Sequence, residues 1–413
     1  MNNTQSTHLT SLEEPVPPHK TDWLTVLQLV FSILTFLLYF GIGVSILLFS
    51  SLDVLNSLPG ADTALNGNMA LIGVVSFFFA FIALISIILS LGRLARKGAE
   101  PTPRKAGILF YFVILLLPLI IFLVKTLYSN PDLQTWLLAV LTVLALAVPV
   151  VWYMRIGSGK LWGRHAKRDA GLVTFSLGFS TFFIMLLEIV VLLIAMIALG
   201  VVVASNPDIM DTLQQMLPNL QTLDTDPEEL LKLLQPILTN PAVISSIILF
   251  TAFVVPLTEE LFKTMGVWLL LGTGISAAEG WVAGLMSGAG FAFVESLLNG
   301  LQVMQVIDFN EWLVGILSRA GASLIHVFLG GLLGWAFAKT WQDRKALRVV
   351  GMFLLVVHIH GLWNGIAISA GLAALTQGLT EPTWIYYPLG AIFVALFVML
   401  VVLSHRITKP ETA

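Results

Sequence analysis

The residues of this chain whose types and spacing could do chemistry lie in its last third. They are Glu259, Glu260 and Lys263 in Glu-Glu-Leu-Phe-Lys, Phe291 and Glu295 in Phe-Ala-Phe-Val-Glu, a lone His326, and His360 and Asn364 in His-Gly-Leu-Trp-Asn. All sit in otherwise apolar stretches. A charged group at the centre of a bilayer costs about 2.5–3.5 kcal/mol on insertion scales, so these groups would be costly facing lipid. Convergence on a water-filled cavity avoids that cost. Three acids, two imidazoles and an amide in one cavity are the groups needed to activate water.

The spacing divides the roles. On a helix Glu259 is four residues before Lys263 and Glu260 is three before it, so either acid can pair with the lysine. Adjacent side chains point about 100° apart, so both carboxylates cannot face one point equally. One acid is expected to work while the other is held by Lys263 or a helix-end donor. A structural ion pair is the alternative reading of this motif. Phe291 and Glu295 share a face, and Gly280, Gly284 and Gly288 on the same stretch allow another helix to approach closely. No basic residue lies on that helix, so the partner of Glu295 must come from elsewhere. Arg319, seven residues and two turns before His326, is a candidate to neutralise a glutamate. His360 and Asn364 share a face, whereas His358 points elsewhere. Imidazole can bind metal or carry protons near neutral pH. Asn364 could donate to a developing oxyanion. Taken alone, each could instead be a helix–helix hydrogen bond.

The elements that must position these groups are transmembrane helices. The chain has 413 residues, 57% hydrophobic and 11% charged, with a mean hydropathy of +0.92. This composition implies an all-α, polytopic helix bundle rather than a soluble domain. Cysteine is absent, which excludes disulfides, thiolate metal sites and cysteine nucleophiles. Apolar runs near 23–50, 69–91, 107–125, 134–154, 171–205, 242–272, 279–300, 311–338, 349–373 and 384–404 suggest about ten spans. The runs 171–205 and 242–272 are long enough to be tilted or broken, and Pro256 is expected to kink the second. Basic residues fill alternate loops: Arg93, Arg96, Lys97, Arg104 and Lys105, then Arg155 to Arg168, then Lys339 to Arg348. The loops between them are acidic, which puts both termini in the cytoplasm.

Residues 1–22 read as a disordered cytoplasmic tail without signal-peptide features. Residues 23–205 form an N-terminal membrane region of about five helices, poor in buried polar groups except for Glu188. Residues 206–240 form an acidic extracytoplasmic loop. Within it, Asp226-Pro227-Glu228-Glu229 reads as a helix start, and Leu230, Leu231, Leu233 and Leu234 as an apolar face. A connector helix on the membrane surface is expected there, with a substrate-gating lid as the alternative. Residues 241–404 hold the convergent polar groups, and 405–413 form a second cytoplasmic tail. The two halves show no repeat of the kind found in inverted-repeat transporters.

Glu-Glu-x-x-Lys, Phe-x-x-x-Glu, a lone His and His-x-x-x-Asn, in this order, resemble the PrsW family of intramembrane proteases over residues 250–370. That family is related to the CAAX-processing and bacteriocin-processing membrane proteases, which resemble this pattern but place Arg after the glutamates and His in the second motif. Lys263 and Glu295 fit the PrsW variant, and Asn364 stands where Asp or Asn is found. The resemblance implies cleavage of a membrane-protein substrate, such as an anti-sigma factor, within or beside the bilayer of the plasma membrane. It implies Glu260, with Glu259, as the water-activating acid/base. Glu295, His326 and His360 would complete the site, and Asn364, with or without His360, would stabilise the oxyanion. Lys263, Phe291 and Arg319 would support it. Glu260, Glu295, His326 and His360 form a candidate zinc set, and a metal-free glutamate mechanism stays open. The lipid bilayer and a membrane-protein or peptide substrate are the expected partners, with no nucleic acid. Intramembrane acids and histidines also mark ion paths, so a proton-coupled transporter is an alternative, and a catalytically silent scaffold is another.

Overall fold

The computed structural model describes residues 22–51, 63–95, 108–128, 135–207, 237–305, 308–376 and 386–409, with a few isolated positions between 210 and 235. Residues 1–21 of the tail expected at 1–22, and the helix expected at 226–234, lie outside the described residues. Among the described residues every element is helical: α1 (Trp23–Ser51), α2 (Thr63–Ala95), α3 (Leu116–Tyr128), α4 (Thr135–Ser158), α5 (Ala166–Phe175) and α6 (Thr181–Ala204). There follow α7 (Pro241–Leu249), α8 (Val255–Phe262), the single turn α9 (Met265–Trp268), α10 (Ala277–Gln305), α11 (Phe309–Asp343), α12 (Ala346–Thr376) and α13 (Tyr386–Ile407).

Among the described residues, nine helical stretches are long and apolar enough to cross a membrane. The run near 107–125 is shorter. It begins with one turn at Ile108–Tyr111 and a 3-10 turn at Val113–Leu115, so that its continuous apolar part is Val113–Tyr128. Pro118 accounts for the break: it has no N–H for the Ile114 carbonyl, and its ring crowds that carbonyl. The two longest runs are each interrupted by a π segment. Ser176–Ser180 joins α5 to α6, and Phe250–Val254 joins α7 to α8 just before Pro256.

The centre of the bundle is α10, nearly all of whose apolar stretch is enclosed. It packs most extensively on α11. The two backbones meet because glycines face each other. A methyl added at Gly284 would lie 2.0 Å from the Gly330 carbonyl oxygen, and one at Gly288 would lie 2.2 Å from that of His326. No side chain fits there, so the glycine stripe sets the approach. The N-terminal region braces this pair through α4. Trp281 Nε1 donates to the Gly157 carbonyl at 2.8 Å, and Trp312 Nε1 donates to Thr142 Oγ1 at 3.1 Å. At the opposite extreme, α6 exposes Ile189, Leu192, Leu193, Ile194 and Ile197 on its outer surface, as a lipid-facing helix should.

Candidate metal centre

Four helices and a helix end build the polar cluster. Glu259, Glu260 and Lys263 lie at the end of α8, where the helix carbonyls run out of N–H donors of their own. The Lys263 carbonyl is taken up from outside: Ser287 Oγ of α10 donates to it at 2.6 Å, and Ser176 Oγ of the first π segment at 3.5 Å. Two neighbouring elements thus seat the end of α8 in the protein interior. Glu260 and Lys263 are wholly buried and form an ion pair through Glu260 Oε1. The helix that carries Glu295 brings no cation, and α11 supplies one, with an imidazole beside it. Arg319 Nη2 is 2.7 Å from Glu295 Oε2, and His326 Nε2 is 2.6 Å from the same oxygen. Phe291 stands edge-on to His326, with ring centroids 4.9 Å apart, and forms one wall.

The second π segment and α12 are matched to each other. Pro256 has no N–H to give the Ala252 carbonyl. That carbonyl faces α12 at Gly361, where a methyl would lie 2.0 Å from it. One residue along, the Thr251 carbonyl accepts a hydrogen bond from Asn364 Nδ2 at 3.1 Å. Gly361 and Asn364 therefore fix α12 against the widened turn, and His360 falls beside the glutamates. His360 Nδ1 is 2.9 Å from Glu260 Oε1, and its Nε2 is 3.6 Å from Glu259 Oε2. His358 points away: its Nδ1 lies 2.6 Å from the Leu354 carbonyl and its side chain is exposed.

These contacts set the chemistry of the two imidazoles. A ring nitrogen that faces a carboxylate at hydrogen-bonding distance carries the proton. His360 Nδ1–H thus donates to Glu260, which leaves the lone pair on Nε2. His326 Nε2–H faces Glu295, which leaves the lone pair on Nδ1, a buried atom with no hydrogen-bond partner. Glu259 Oε2 is likewise buried without a hydrogen-bond partner. Glu259, His326 and His360 each offer a ligand atom, and the three atoms lie within 4.8 Å of one another. Two neutral imidazoles and a carboxylate, with each imidazole backed by a second carboxylate, form a donor set that fits zinc. The sequence reading puts Glu260 and Glu295 in the candidate ligand set. Here both lie against the outer nitrogens of the histidines, and Glu259 is the acid in the cluster.

One further acid reaches this place. Glu188 of α6 meets the Glu259 carboxyl, and the charge of Glu295 acts on it. Its only signal in the sequence is that it is a lone acid in a long apolar run.

A family model, described as the PrsW family intramembrane metalloprotease, matches residues 188–403. No curated protein and no solved structure matches the chain.

Proposed function

The chain belongs to the PrsW family of intramembrane metalloproteases, and from that premise we propose that it hydrolyses a peptide bond of a membrane protein with a zinc ion held by Glu259, His326 and His360. The observation that carries this reading is the convergence of three buried residues whose ligand atoms lie within 4.8 Å of one another, with Glu260 and Glu295 each against one ring nitrogen of a histidine. When bound, zinc supplies a Lewis acid that polarises a carbonyl and acidifies water.

The protein's own groups do the rest. Glu260 orients His360 with Oε1 and keeps Oε2 buried and unpaired. It is the acid assigned to take the proton of the attacking water and return it to the leaving amine. Lys263 pairs with its charge. Arg319 and Glu295 fix the tautomer of His326, and Phe291 limits the ring's rotation. Asn364 keeps one amide N–H beyond its bond to Thr251, and that donor is assigned to the developing oxyanion. Enclosure of these groups among α8, α10, α11 and α12 keeps bulk water from the reacting atoms. The substrate class is a membrane protein of the anti-sigma-factor kind, and the location is the plasma membrane.

The test is cleavage of single-span substrates by purified protein in bilayers, with metal content measured on the same preparations. Wild type is expected to cleave and to hold zinc, Glu260→Gln to hold zinc without cleaving, and His360→Ala to lose both. Cleavage that persists in both variants overturns the assignment.

A further inference from the structure

The family motifs do not account for Glu188. It sits on α6, outside the four motif helices, on an element whose neighbouring side chains Ile189, Leu192, Leu193 and Ile194 face outward. A carboxyl on such a helix is costly in a bilayer unless it is turned inward to a partner. Glu188 is half-buried, and α6 packs on α8 at the glutamate pair. Its carboxyl meets that of Glu259. On each of the two residues one buried oxygen has no hydrogen-bond partner: Oε1 of Glu188 and Oε2 of Glu259. The two histidines of the cluster each have a carboxylate behind them, Glu260 for His360 and Glu295 for His326. Among the motif residues, no group plays that part for Glu259.

We propose that Glu188 is the positioning residue for Glu259, a carboxyl from the N-terminal membrane region that holds this ligand toward the metal through a carboxyl–carboxyl hydrogen bond. In that bond the O–H of Glu188 donates to one oxygen of Glu259, and the other oxygen is left for the ion. The role rests on the zinc reading above. It completes the pattern in which every ligand of the cluster is oriented by an outer group, a pattern whose loss commonly costs about 10–100-fold in metal affinity. It also makes the N-terminal region a contributor to the metal centre rather than a brace alone.

The experiment is titration of purified full-length protein with Zn(II), and with Co(II) followed by its visible absorption spectrum, on wild type and variants of equal thermal stability. Glu188→Leu is expected to weaken Zn(II) binding by about 10–100-fold and to shift the Co(II) bands. Glu188→Gln, whose amide N–H can still donate to Glu259, is expected to bind like wild type. Glu188→Asp, with a shorter reach, is expected to fall between, and it decides the matter if Glu188→Leu does not fold. Wild-type affinity and spectrum in the leucine and aspartate variants overturn the role, and so does a loss in Glu188→Gln as large as that in Glu188→Leu. Wild-type protein that takes up neither metal overturns the zinc reading itself, and the positioning role falls with it.

Discussion

Replacing Lys263 with methionine tests whether the buried pair at the end of α8 is a working electrostatic unit. Lys263 and Glu260 are both fully enclosed. Methionine matches most of the lysine's length and volume, so the change removes a charge with little loss of packing. Breaking a buried ion pair from one side costs about 3–5 kcal/mol, because the remaining charge is left uncompensated. Glu260 keeps its hydrogen bond from His360 Nδ1 at 2.9 Å, which places the expected loss at the low end, about 3 kcal/mol. That is roughly a hundredfold in the ratio of folded to unfolded protein. Removing both charges, in Lys263→Met with Glu260→Gln, should recover most of the loss, since replacing both members of a buried pair is often near neutral. The double variant should remain inactive, because the proposed proton acceptor is gone. Reversible unfolding in mixed micelles, followed by far-UV circular dichroism, gives the four stabilities of the cycle. A single-variant loss below about 1 kcal/mol, the range of exposed pairs, refutes the reasoning. A double variant no more stable than Lys263→Met does the same.

Other outcomes follow from the same geometry. Gly288→Ala puts a methyl 2.2 Å from the His326 carbonyl oxygen, so α10 and α11 must separate. A destabilisation of about 1–3 kcal/mol is expected by thermal unfolding, together with weaker zinc binding as His326 moves. Treatment with a chelator should abolish cleavage, and stoichiometric Zn(II) should restore it; full activity in the metal-free protein would contradict the zinc reading. Asn364→Asp removes the donor to the Thr251 carbonyl and places two acceptors face to face, so activity should fall further than in Asn364→Ala. Outside the membrane, burial acts to raise the pKa of Asp22, but hydrogen bonds from Thr25 and the charge of Lys167 outweigh it and hold the carboxyl below its ordinary value of 3.8. Its contribution to stability is therefore present above 3.8 and lost as pH falls through the lower folded value. The pH dependence of unfolding in that acid range should flatten in Asp22→Asn.

The sequence by itself determined the class of fold, nine of the ten expected spans and the family, because these depend on local quantities. Apolar runs of bilayer length require helices, and the order of four short motifs survives without knowledge of their arrangement. It also showed that Glu295 needs a cation from another helix, since α10 has none. It could not show that the cation is Arg319 with His326 beside it, or that Glu260 stands against His360 Nδ1 while Glu259 groups with the two histidines. These depend on the tilt and spacing of α8, α10, α11 and α12, set by the glycine contacts and by the widened turn that Pro256 imposes. Helical periodicity says which residues share a face of one helix; it says nothing of what stands opposite. Glu188 illustrates the limit most clearly. It is a lone acid in an apolar run more than sixty residues from the first motif, and only the packing of α6 on α8 brings it to Glu259.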